Sequence, residues 1–145
     1  MIKVMFSTVF VLAAIFTKAQ TINSIWVVDL VKVKNGNHAE ALYYFEHNWK
    51  LFREKALEKG HIRSYQLLTG LQPGDFDIML ATEYADSTML HNSEANFAPI
   101  LKEIRPNGPV FMNEKKRNDI LEIVGSQELR TTFSATKKSR KKHKK

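Results

Sequence analysis

The sequence predicts an α+β fold in which four antiparallel strands carry two helices on one face. Three observations predict it. A long amphipathic stretch, 37–59, sits between two strand-like runs. The elements follow the order β-α-β-β-α-(α)-β, with a Gly/Pro-rich hairpin joining the middle strands. The first strand is apolar on both sides, which places it inside a sheet whose two faces are both covered.

Only part of the 145-residue chain has to build this fold. Residues 1–19 read as a secretory signal. Lys3 begins it, a 13-residue apolar run from Val4 to Phe16 follows, and Thr17-Lys18-Ala19 offers a cleavage site near Ala19. The run is short for a ~30 Å hydrocarbon core. The expected product is an exported protein, periplasmic or extracellular, that starts at Gln20. Residues 137–145, from Lys137 to Lys145, carry seven Lys and Arg in nine positions and form a self-repelling tail with nothing to bury. That tail suits contact with polyanions. The formal charge of +7 belongs to these two ends. Between 20 and 136, thirteen basic residues face fifteen acidic ones, so the body stands at −2. Specific nucleic-acid binding is therefore not expected of it. Having no Cys excludes a disulfide framework, a Cys-ligated zinc, a thiol nucleophile and a Cys-linked lipid.

The elements follow in order. Ser24 to Lys34 is dense in β-branched and aromatic residues and predicts a strand. Asn35-Gly36 breaks it. Asn37 and Glu40 form a capping-box pair that opens the helix over 37–59. Leu42, Phe45, Trp49, Phe52 and Ala56 recur as its apolar stripe, and Glu46 pairs with Lys50 outside. Lys59-Gly60 ends it. His61 to Leu68 is the second strand, Thr69 to Asp75 a hairpin loop, and Phe76 to Tyr84 an alternating third strand. Asp86-Ser87 caps a helix over 87–104, with Leu90, Phe97, Leu101 and Ile104 inward and a bend at Pro99. Residues 110–124 allow a short helix at Ile120 to Val124. Glu128 to Ser134 reads as the last strand.

This order is the ferredoxin-like, split βαβ arrangement. Its helices cover one face only, so the doubly apolar first strand calls for a second copy packed sheet to sheet. With its Phe/Trp-striped first helix and apolar sheet, the stretch 24–134 resembles the dimeric α/β-barrel group. Its nearest types there are the NIPSNAP-like and antibiotic-biosynthesis-monooxygenase-like small domains. The resemblance implies a homodimer with a ligand cleft between the first helix and the sheet. It also allows a cofactor-free oxygenase or isomerase, or a haem with His47 or His91 as axial ligand. No cofactor is expected.

No phosphate-cradling, metalloprotease or nucleophile-elbow motif occurs, and no two His lie three or four apart, so no metal site is expected. Polar residues within apolar strands are the remaining candidates. Asp29 lies among valines, and Glu83 sits on the less apolar side of its strand, near Arg63, Tyr65 and Gln66. A carboxylate in an apolar setting suits general acid/base work, whereas pairing with Arg63 makes it structural. On the helix, Tyr43, Tyr44, His47 and Trp49 bring aromatic and polar tips together. His47, Asp29 and Glu83 are thus the catalytic candidates. Tyr43, His47, Trp49, Tyr65 and His91 are the ligand-binding ones. The leading expectation is an exported homodimer that holds a small apolar or aromatic molecule. Behind it stand a cofactor-free enzyme and an envelope protein that uses its basic tail.

Overall fold

The computed structural model describes residues 23–133. The expected signal segment and basic tail lie outside the described residues. Four strands form one antiparallel sheet in the order β2-β3-β1-β4. They are β1 (Ile25–Val33), β2 (Ser64–Thr69), β3 (Ile78–Tyr84) and β4 (Leu121–Arg130). The β1 strand is interior, as its two apolar faces require, and pairs with β3 and β4.

Between β1 and β2 the chain is helical in three consecutive pieces. These are α1 (His38–Tyr44), a π-helical segment (Phe45–Lys50) and α2 (Leu51–Glu58). Asn35 and Gly36 make the preceding turn with φ of 52° and 71°. The end is a Schellman motif: Gly60 has φ of 74°, its N–H bonds Leu57 O, and the His61 N–H bonds Ala56 O.

The start differs from the expected capping box. Asn37 makes no side-chain cap. Lys115 Nζ instead donates to Asn37 Oδ1 and to Glu40 Oε1, which pins the 105–116 loop to the helix start. That hydrogen bond holds the Glu40 carboxyl below the usual carboxylate range. The helix seam also departs from the expected stripe. Ala41, Phe45, Asn48 and Ala56 are buried, whereas Leu42 is exposed. The wider i→i+5 turn separates Glu46 from Lys50, and Lys50 pairs with Glu54 at 3.9 Å instead.

After β3, α3 (Ser87–His91) and α4 (Ser93–Ile104) replace the single expected helix. Asp86 caps α3, accepting the Met89 N–H at 2.9 Å. The break falls at Asn92 and not at Pro99. It resets the helical phase, so Ile100 is fully buried and Leu101 lies outside. A single turn, α5 (Arg117–Ile120), leads directly into β4. The last strand therefore begins at Leu121, seven residues before the expected Glu128, and ends at Arg130. Residues Leu121 to Val124 are strand because β1 offers them a pairing edge: Val33 lies opposite Leu121, and a bulge follows at Leu30/Val31.

The helices pack on the sheet face that carries Val27, Val31, Val33, Leu67, Ile78, Leu80 and Tyr84. By strand alternation and register, Trp26, Val28, Leu30, Leu68, Met79, Ala81 and Leu129 lie on the opposite face. None of them joins either core cluster.

Candidate functional site

The π segment aims side chains into the helix–sheet interface that a regular turn would place differently. Tyr44, Phe45, Asn48, Trp49 and Phe52 form one wall of a cleft. Asp29, Val31, Leu80 and Ile123 form its floor, and Arg117 closes a side. The cavity is about 150 Å³. That is the size of an engineered apolar cavity that admits one benzene ring.

Asn48 holds the wall in place. It is 1% exposed, a burial that requires every polar atom to be matched. Its Nδ2 donates to Tyr44 O and Val110 O, each at 2.8 Å, and its Oδ1 accepts the Val110 N–H at 2.9 Å. Arg105 reinforces the link by donating to His47 O and, at 3.4 Å, to Asn48 Oδ1. Phe111 stacks on Tyr44 with centroids 5.4 Å apart. The 105–111 loop is thus fastened to the helix, and the chain that follows it sets Arg117 at the cleft.

Beside the cleft, Arg53 lies between helix and sheet. Its Nε donates to Thr82 Oγ1 at 3.0 Å, and its guanidinium sits 4.5 Å from the Phe97 ring and 5.1 Å from Trp49. Burial lowers its pKa, and the neighbouring Tyr84 and Asp29 oppose that shift. Burial likewise raises the Tyr84 phenol.

The candidate residues fall in different places. Asp29 is on the helix-facing side of β1, at the cleft, and accepts the Ser126 hydroxyl at 2.6 Å. Trp49 lines the cleft and meets Tyr65 edge-on at 5.5 Å. Tyr65 itself belongs to a neighbouring groove with Leu42, Phe45 and Leu67, and burial followed by the Glu54 charge raises its pKa. Tyr43 and His47 stack on each other at 3.9 Å outside the cleft, with His47 Nδ1 3.0 Å from Tyr43 O. His91 ends α3 on the exposed surface. Glu83 faces the other side of the sheet, where it accepts the Ser64 hydroxyl at 2.6 Å. Asp29, Glu83 and His47 therefore do not converge. Arg63 forms no ion pair with Asp29 or Glu83, and only its backbone N–H reaches Glu83 O, at 2.7 Å. Among the described residues no three His, Asp or Glu side chains gather as metal ligands, and no helix is long and apolar enough to cross a membrane.

Sequence reading overlooked Asn48, Arg53 and Arg117. Asn48 had one available signal: a short polar residue at a seam position of an otherwise apolar stripe. Arg117 had none, because its place at the cleft depends on how β4 pairs along β1. These parts define an antiparallel α+β domain with an aromatic-walled cleft between helix and sheet. The chain matches no protein-family model, and no curated protein matches it.

Proposed function

We propose that this protein binds a small apolar or aromatic molecule in the helix–sheet cleft, without turning it over. The carrying observation is the cleft itself: Tyr44, Phe45, Trp49 and Phe52 over an aliphatic floor, with three polar side chains at its margins. Binding is favoured over catalysis because Asp29 is the single catalytic candidate at the cleft, and acid/base chemistry on a substrate needs a second converging group.

The proposal includes a ferredoxin-like unit that pairs into a dimeric α/β barrel of the NIPSNAP-like or monooxygenase-like kind. The strand order supports it, since each βαβ unit is split by a strand of the other. The apolar face around Trp26, Val28 and Leu30 supports pairing with a second copy. Export, with cleavage near Ala19, completes the reading.

Native mass spectrometry of the protein purified from its source tests this directly. The expected result is a dimer that begins at Gln20 and carries a small aromatic adduct lost on denaturation. A monomer without adduct, unresponsive to any small aromatic compound, overturns it.

A further inference from the structure

We infer that the cleft takes a monocyclic aromatic carboxylate, its ring against Tyr44, Trp49 and Phe52 and its anionic group on Arg117. This rests on the binding role proposed above and deepens it to a ligand class.

A count of charges leads there. Asp29 is engaged by the Ser126 hydroxyl and lies close enough to act on the Arg53 charge. Arg53 is held by Thr82 and two aromatic rings and has no carboxylate within ion-pair distance among the described residues. Two acids near Arg117 in sequence are also engaged, and Glu114 makes no ion pair with it among the described residues. Asp119 accepts the Lys116 N–H at 2.9 Å, and Glu122 pairs with Lys34 at 3.4 Å. Among the described residues the Arg117 guanidinium has neither a hydrogen bond nor an ion pair, yet it is half-buried on the cleft wall. A guanidinium at the margin of an apolar cavity is matched best by a planar carboxylate, which takes two of its N–H groups at once.

The Asn48 amide does not compete. Both of its N–H groups donate to backbone carbonyls, so a neutral polar ligand finds no free donor on that side chain. The volume of about 150 Å³ sets the size at one ring.

The test is a calorimetric titration of the full chain with benzoate, benzamide and acetate, repeated on Arg117→Gln and Arg117→Lys. Benzoate is expected to bind at least about tenfold more tightly than either other probe. Arg117→Gln is expected to abolish the benzoate preference, with an unchanged circular dichroism spectrum and thermal midpoint showing that the variant is folded. Arg117→Lys is expected to keep part of the preference. Equal affinity for benzamide, or a preference that survives in Arg117→Gln, overturns the carboxylate assignment and leaves cleft binding standing. Acetate binding as well as benzoate overturns the ring. If neither benzoate nor benzamide binds the folded chain, the ligand class and the binding role fall together.

Discussion

At the scale of single residues, Asn48 bears the most. Its side chain acts as a short piece of backbone, pairing with the N–H and C=O of Val110 across a gap of 62 positions in the chain. Removing it takes the partner from both of those groups. Asn48→Leu is expected to cost about 2–4 kcal/mol. In a domain of this size that lowers the thermal midpoint by roughly 8 °C or more, measurable by circular dichroism. Asp77 carries a pH dependence. Its carboxylate accepts the Val33 N–H at 2.8 Å and pairs with Lys32 at 3.3 Å, and the backbone bond, then Lys32, hold its pKa below the ordinary value. A carboxylate lowered on folding stabilises above its unfolded pKa of about 3.9, and that gain disappears as pH falls through the lower folded value. Asp77→Asn keeps an acceptor for Val33 but loses the charge. Its thermal midpoint is expected to lie below that of the parent near neutrality, with the gap closing below about pH 4. Single residues were the least legible level. Asp86 as a cap follows from local chemistry, whereas Asn37 and Glu40 are taken over by Lys115, which approaches from 75 or more positions away.

At the scale of elements, period and punctuation carried much further. The first helix, its Gly60 stop and the alternation of β3 all follow from side-chain spacing. Phase was the weak point. A break at Asn92 rotates the turns that follow it, which moves burial from Leu101 to Ile100. A tally of apolar residues does not register such a shift, because both neighbours are apolar. The helix α4 continues past Pro99, which leaves Ala95 O without its intrahelical donor. Pro99→Ala supplies that N–H at an exposed position. It is expected to stabilise the domain by about 1 kcal/mol or more and raise the thermal midpoint. An unchanged or lower midpoint means that the helix has already adapted to the proline.

At the scale of the whole molecule, the described residues cover one sheet face and leave the other open. Trp26, Val28, Leu30, Met79 and Leu129 share the uncovered face, and Leu68 and Leu129 are about half exposed. Pairing with a second copy is expected to bury this face. Leu30→Glu places a charge at its centre and is expected to convert a dimer into a monomer, read by light scattering during size exclusion. Retention of the dimer in that variant shows that another surface joins the copies.

The sequence by itself determined the class of fold, the order of its elements and the place of the first strand inside the sheet. These depend on local period and on how apolar each face is, and both are written in neighbouring residues. Only the tertiary structure decided the cleft. Asp29, the π segment and Arg117 lie in three separate stretches of chain, and what brings them together is the pairing of β4 along β1 and the Asn48 contact with Val110. Such contacts depend on which distant groups satisfy one another's hydrogen bonds, and no periodicity along the chain records that.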